Sequence, residues 1–599
     1  MADYYINQTG SDGTAGTEAN PWRTFVGNAS GNYFLQPGDN VYFHATSVWV
    51  GRDAQIYIRS SGTSVNRITL GPYGGAGYPT LIGDSATTEG WQSTGISSIY
   101  VLTNYNPTSI YVLTQQDTMA LCRWRGQTNN LVEGTFITTL GTLSVRLWGG
   151  SDPSVSTIRI GSFRVGTVEN RGLLFANSMS SYVTVNSMKL MCVNGVGITA
   201  SGSSQTFNDC VVMGCGRDAV HANAFLSLNE LAYNFRWFRG EVSYGAARGT
   251  SFGQGVTISS PSSWIVRAVV KSNFMAGIDL LDYGVGTTNC VNSGIAWCQV
   301  KGNGIWTDSS SFDPQIYVDG ARQFFIYGNE VASGGVGLPP GDNDKAGIKF
   351  GSENDATNVC EDGYIINNLV SGNNWEGLDA DNEDNGNNIS RINIVNNTVI
   401  ALNASFEKCY GFSNIAATDG TILMRNNSFV FGQNSNSLAD LYVGTAAAAV
   451  SYLASDYNNY FHRNSGTTIY RSGDASPQRY TLGSWQIVFA QDTNSSLGDP
   501  LYASLDNAAP NARVSTASTL IGAGVASQYT PPAWLPSDVF TYGGQVRGTI
   551  RTDGTWDSTG TDIGFHYLSD QASPNVYSQA VFSGVKMTVN PDTKVQLVS

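Results

Sequence analysis

One short motif recurs through the middle of the chain. It is Asn, then any residue, then Val or Phe: Asn329-Glu-Val331, Asn368-Leu-Val370, Asn397-Thr-Val399, Asn427-Ser-Phe429 and Asn459-Tyr-Phe461. Upstream, Asp209, Gly240, Ala268 and Cys298 fill the same slot, each two residues before a valine. The mean step is about thirty residues, the period of a solenoid or a propeller. A second motif lies between these copies: a small residue, an apolar one, any residue, then an apolar or small one. It reads Gly197-Ile-Thr-Ala200, Ala219-Val-His-Ala222, Gly255-Val-Thr-Ile258, Gly277-Ile-Asp-Leu280, Gly304-Ile-Trp-Thr307, Gly347-Ile-Lys-Phe350, Gly377-Leu-Asp-Ala380 and Gly411-Phe-Ser-Asn414. Short, alternating segments bounded by Gly or Asn are strands with turns between them. A propeller needs four strands per repeat and a closing signature. A parallel β-helix needs about three short strands per coil and accepts turns of unequal length, such as the long step from 329 to 368. Asn stacked in one turn of successive coils can bond its copies and accept left-handed backbone. The pairs Asn367/Asn368, Asn396/Asn397, Asn426/Asn427 and Asn458/Asn459 fit that role. The sequence therefore predicts an all-β chain folded as a single-stranded parallel β-helix.

Composition agrees and narrows the partners. Charged residues are 13% of the chain, against about 25% in ordinary domains, which excludes a long coiled coil. Aromatics at 11% exclude a disordered chain. A formal net charge of −14 repels phosphate backbones and argues against nucleic acid. No run of about 18 apolar residues exists, so no membrane span is expected. The opening Met1-Ala-Asp-Tyr-Tyr-Ile-Asn7 lacks a basic segment and an apolar one, so no signal peptide is expected in the chain. Eight scattered cysteines without zinc spacing read as buried free thiols. Residues 1–84 read as an N-terminal cap and the first coils. Residues 85–170 break the period and read as a small antiparallel β insertion. Residues 171–570 read as the β-helix with its groove, and 571–599 as a polar tail, a candidate oligomerisation segment.

Strand alternation points the apolar positions of the second motif inward and the middle position outward. One outward column is then Thr199, His221, Thr257, Asp279, Trp306, Lys349, Asp379 and Ser413. The column two residues on is Ser201, Asn223, Ser259, Leu281, Asp308, Gly351 and Asp381. Acids, an aromatic and a lysine gather on four consecutive coils. Coils stack about 4.8 Å apart, and residues two along a strand are about 6.6 Å apart. Asp308 and Asp381, with Gly351 between them, are then roughly 9.6 Å apart, and Asp279 and Asp308 roughly 8 Å. An inverting glycosidase places its carboxyls about 6.5–9.5 Å apart to admit water. The favoured catalytic pair is Asp308 and Asp381, with Asp279 and Asp379 tuning the site or binding. Trp306 is the sugar-stacking platform. Tyr283, Asp313 and Tyr317 are read as groove-lining loop residues, and His221, with Asp218 near it, as a binding residue. No cofactor is required by this chemistry.

Three segments carry a family resemblance. Tyr4-Tyr-Ile-Asn-Gln-Thr-Gly-Ser-Asp-Gly13, with Pro21-Trp-Arg-Thr24 and Pro37-Gly-Asp-Asn-Val-Tyr42, resembles the N-terminal edge of the pectate-lyase-like right-handed β-helix superfamily. Trp148-Gly-Gly-Ser-Asp-Pro-Ser154 resembles a β insertion of some members. Gly498-Asp-Pro-Leu-Tyr502 with Thr561-Asp-Ile-Gly-Phe-His-Tyr567 resembles their C-terminal ending. That superfamily holds lyases, glycoside hydrolases and phage tailspike depolymerases. The resemblance implies a polysaccharide substrate such as a bacterial capsule or O-antigen. In the tailspike form it also implies a homotrimer on a virion tail or otherwise outside the cell. It keeps a second chemistry open: β-elimination on a uronic-acid polymer, with Lys349 as base and Ca²⁺ held by Asp379 and Asp381. A third reading is a non-catalytic carbohydrate-binding adhesin or fibre. A pure stalk would repeat Thr, Ser and Asn evenly along its outer columns, which here happens only in the first three coils.

Overall fold

The computed structural model describes residues 1–25, 35–83, 90–103, 113–116, 119–123, 127–139, 141–161, 173–176, 180–223, 233–247, 253–282, 290–305, 314–332, 346–351, 359–372, 376–381, 389–402, 408–413, 415, 421–432, 441–443, 451–463, 467–472, 476, 478–505, 510–525, 532–536, 539 and 562–565. Three sheets of thirteen strands run side by side. The first starts at Asp3–Ile6 and ends at Leu453–Asp456. The second starts at Val48–Val50 and ends at Ser496–Leu497. The third starts at Ile56–Ile58 and runs to Thr468–Ser472, where an antiparallel strand, Arg479–Thr481, closes it. Each coil gives one strand to each sheet and pairs with the coils before and after it. This is the parallel β-helix that the repeat predicts, with the right hand that strand twist imposes on crossovers.

The repeat has two physical sources. The first is the inward row. In the first sheet Phe207, Trp237, Ile265, Ile295, Ile326, Ile365, Ile394 and Met424 lie in register on successive coils. All are buried in one continuous core, and each contributes about 1.5–3 kcal/mol by leaving water. The second source is the corner between the first and second sheets, which is two residues long. Its first residue is left-handed in ten successive coils: Ser187, Asp209, Arg239, Arg267, Trp297, Gly328, Asn367, Asn396, Asn426 and Tyr457. Its second residue points inward. Asn329, Asn368, Asn397, Asn427 and Asn458 form a buried ladder there, each Nδ2 donating to the next Oδ1 at 3.0 Å. The motif is thus one residue out of step at both ends. Cys210, not Asp209, and Asn458, not Asn459, hold the inward slot. The corner before Asn458 uses Tyr457 as its left-handed residue, so the last Asn pair does not repeat the earlier ones.

Residues 91–161 form the insertion, a seven-stranded, mainly antiparallel sheet. It has its own core, including Leu121, Phe136, Leu143, Val145 and Ile158. An unforeseen helix, Leu482–Phe489, plugs the far end of the solenoid. Thr481 caps it by accepting from the Ser484 N–H, and Trp485 stacks on Tyr470 at 4.0 Å. Beyond the helix, the described strands are Ser496–Leu497 and the pair Tyr502–Ser504 and Asn511–Val514. The rest of the described C-terminal chain is a strap that returns along the corner. Asn426 exchanges bonds with Val525 at 3.0 Å, Asn396 Nδ2 donates to Asp562 O, and the Phe565 N–H donates to Thr398 Oγ1. Trp534 packs on Trp264, Phe325 and Tyr364 outside the first sheet. The six cysteines with described side chains are buried free thiols. Among the described residues, no helix is long and apolar enough to cross a membrane.

Candidate functional site

The outer face of the third sheet carries the candidate site residues. Its apolar residues Ile278, Leu280, Ile316, Val318, Ile348, Phe350, Leu378 and Ala380 face the core, so the residues between them face out. Register fixes the first outward column as Thr199, His221, Thr257, Asp279, Tyr317, Lys349, Asp379, Gly411, Tyr442 and Arg471, one per coil. The second column includes Leu281, Asp319, Gly351, Asp381 and Ser413. Outward does not mean exposed: Lys349 is 0% exposed, Asp279 and Asp379 are 3% and Asp381 is 9%.

Three positions differ from the columns expected from the sequence. Tyr317 and Asp319 stand where Trp306 and Asp308 are expected, and Gly411 stands opposite Asp379 in place of Ser413. Tyr317 is therefore a strand residue, not a loop residue. The cause is local. Gly304 has φ +69° and belongs to a turn. The strand of that coil, Ile316–Asp319, follows Gln315 and has no leading glycine. The Gln315 side chain fills the interior turn instead, bonding both the N–H and Nδ2 of Asn303 through Oε1. Trp306, Asp308, Tyr283 and Asp313 lie outside the described residues.

Asp379 and Asp381 are two residues apart on the strand Glu376–Asp381 and leave the same face, about 6.6 Å apart along the backbone. Their surroundings are opposite. Asp381 Oδ2 is 3.3 Å from the Lys349 ammonium, whose Nζ also lies 5.5 Å from the centre of the Tyr317 ring. Burial and the neighbouring Glu376 carboxylate hold Asp379 well above the usual carboxylate range; Lys349 pulls the other way and is outweighed.

Glu376 reaches Asp379 because Gly411 has no side chain. A Cβ at Gly411 would stand 2.4 Å from Glu376 Oε1. The Glu376 carboxylate is held from the other side by its cross-strand partner Lys408, Nζ to Oε1 2.7 Å. Lys408 in turn lies 4.9 Å from the centre of the Tyr442 ring. No hydrogen-bond donor among the described residues reaches Asp379 Oδ1 or Glu376 Oε2. Two facing carboxyls can bond only if one of them carries a proton.

His221 sits two coils before Asp279. Its Nδ1 is 3.0 Å from Asp218 Oδ2, and Asp218 Oδ1 also accepts from Thr257 Oγ1 at 2.6 Å and from the Gln254 N–H at 2.9 Å. Burial alone would raise the Asp218 carboxyl, but the His221 ring, the Arg217 charge and the Thr257 hydroxyl hold it at about 2. Asp279 stands apart from the pair, three coils from Asp379, about 14 Å.

Sequence reasoning missed Asp319, Glu376 and Lys408. Glu376 stands just before the glycine that was taken to open the motif, and Lys408 lies in a strand whose register was read two residues late. A calcium ion between Asp379 and Asp381 does not fit these residues. The Lys349 ammonium already faces Asp381, and burial with the neighbouring Glu376 carboxylate disfavours charge on Asp379. Among the described residues, no group of three or more His, Cys, Asp or Glu side chains converges to hold a metal.

No family model and no curated protein matches the sequence. Several solved structures are similar in fold. A complex of XylC with xylose shares 12% identity at a TM-score of 0.46, over 84% of this chain and 87% of that one. The pectate lyase Pel9A shares 13% at 0.41, over 90% and 95%. A protein titled Geobacillus virus E2 ORF18 shares 13% at 0.31, over 78% and 61%. At such scores and identities, none of these likenesses speaks to the chemistry of this chain.

Proposed function

We propose that the chain is a polysaccharide depolymerase that cleaves glycosidic bonds by inverting hydrolysis. Asp379 is the general acid and Asp381 the general base. The observation that carries this reading is the contrast between two carboxyls on one strand: one pushed up by burial and Glu376, the other facing an ammonium at 3.3 Å. Acid–base pairs are built by driving two environments apart in this way. Their backbone spacing of about 6.6 Å is at the short end of the inverting range. In the reaction Asp379 gives its proton to the glycosidic oxygen as the bond to the anomeric carbon breaks. Asp381 takes a proton from the water that attacks that carbon from the opposite face. Solvent then restores both protonation states. Lys349 holds Asp381 in place, and Asp319 lies two coils away in the same outward column, beyond Gly351.

A lyase would need Lys349 neutral, which its ion pair with Asp381 opposes. The test is digestion of a panel of capsular, O-antigen and uronate polysaccharides. New reducing ends without the ultraviolet absorbance of an unsaturated uronate are expected, and Asp379→Asn should abolish them. Appearance of that absorbance, removed by Lys349→Met, would replace hydrolysis with elimination. Trimeric display on a virion tail belongs to the same proposal, and sedimentation equilibrium of the purified chain checks the trimer.

A further inference from the structure

The outer column of the third sheet runs on past the acids. After Gly411 come Tyr442 and Arg471, and the closing strand adds Arg479 as the direct partner of Arg471. In an antiparallel pair, directly opposed residues leave the same face with Cβ atoms about 5 Å apart, and like charges there destabilise the pair. Two arginines are opposed in a chain with 32 Lys plus Arg and a net charge of −14. Packing of this edge is carried by the alternate residues: Tyr470 stacks on Trp485 at 4.0 Å, and Tyr480 meets it at 5.6 Å. The arginines stand outside that packing, Arg471 half-buried and Arg479 exposed, next to the half-buried Tyr442 ring.

We infer that Tyr442, Arg471 and Arg479 form a subsite for an acidic sugar of the polymer, its ring stacked on Tyr442 and its anionic group held between the two guanidiniums. The planar fork of arginine matches a carboxylate through paired bonds, and an anion there relieves the opposition of like charges. Arg471 is three coils from Asp379, about 14 Å. That exceeds the screening length of about 8 Å in physiological salt, so the bound anion leaves the proton on Asp379 undisturbed. The polymer then lies along the solenoid axis, with the acidic residue a few sugars from the bond that breaks. This inference rests on the depolymerase reading and narrows its substrate to an acidic polysaccharide.

The experiment is affinity electrophoresis of Asp379→Asn protein, which leaves the matrix intact. Gels contain polygalacturonate, alginate, carboxyl-reduced polygalacturonate, dextran or DNA. Retention in the two carboxylate gels alone is expected. Arg471→Gln and Arg479→Gln should each weaken it about tenfold, the loss of one charged hydrogen bond. Arg479→Gln should melt no lower than the parent, because the opposed charges are gone. Equal migration in all gels, equal retention by DNA, or retention untouched in the double variant overturns the subsite. Arginine-dependent retention of polymers that the unsubstituted chain never cleaves would keep the subsite and remove the hydrolytic reading. Cleavage of a polymer with no arginine dependence would do the reverse.

Discussion

One methyl group at Gly411 tests the carboxyl pair. The Gly411 backbone lies outside the left-handed region, so alanine brings no conformational strain. Its Cβ would stand 2.4 Å from Glu376 Oε1, 2.5 Å from Cδ and 2.8 Å from Oε2, where an ordinary contact begins at 3.4 Å. The carboxylate must retreat by about 1 Å, the difference between the 3.4 Å and 2.4 Å contacts. A displacement of that size near a reacting group costs on the order of 10²-fold in rate, about 2.7 kcal/mol. The direction of the pH effect follows. Asp379 acts while protonated, so activity falls as pH rises through its pKa. Glu376 is one of the causes that raise that pKa, and moving it away lowers it. The alkaline limb of kcat/KM against pH should therefore shift to lower pH in Gly411→Ala. An infrared carboxylic-acid band that Asp379→Asn removes should titrate away at lower pH as well, with or without substrate. A variant with unchanged rate, an unmoved limb and an unmoved band would refute the pairing of Glu376 with Asp379.

Two further outcomes follow from the structure. Asn397→Ala leaves the Asn368 N–H and Nδ2 without their acceptor Oδ1. Nδ2 keeps Ile326 O and Ile366 O as acceptors, so the one orphaned N–H sets a cost of about 1–3 kcal/mol in denaturant unfolding; a loss under about 1 kcal/mol would mean the ladder is passive. Asp218 has a depressed pKa, so its contribution is full above the ordinary 3.8 and fades as pH falls through about 2. Asp218→Asn should thus cost about 2 kcal/mol near neutrality. The cost should shrink on acidification, and unfolding rates that show a constant penalty at all pH values would contradict this.

The solenoid was legible because each coil repeats the same two demands: an inward apolar pair and a corner residue that accepts left-handed backbone. Asn answers the second demand without glycine, so Asn367, Asn396 and Asn426 stood out. Arg239, Arg267 and Trp297 meet it equally well and gave no signal. The acids Asp279, Asp379 and Asp381 and the lysine Lys349 were placed on the correct face, because alternation alone assigns faces. The coil between Asp279 and Lys349 was misread, because its strand opens with Gln315 rather than Gly. The trigger in that coil is a side-chain hydrogen bond across the interior, which no local pattern announces. Glu376 was invisible for a different reason. Its role depends on the absence of a side chain at Gly411, a cross-strand relation that a two-residue error in register erases.

The corner asparagines have a consequence for how the molecule comes into being. Contacts within the coils join residues about one repeat apart, so a growing chain can stack each coil on the last. The bonds from Asn396 to Asp562 and from Thr398 to Phe565 span 166 and 167 residues. They cannot form until residues 562–565 have been made and have come back along the seam. Assembly and locking are therefore separate events. The seam amides of Asn396 and Asn426 stay wet through the first event and dry out only in the second, so resistance to proteases and detergents should arrive late and all at once.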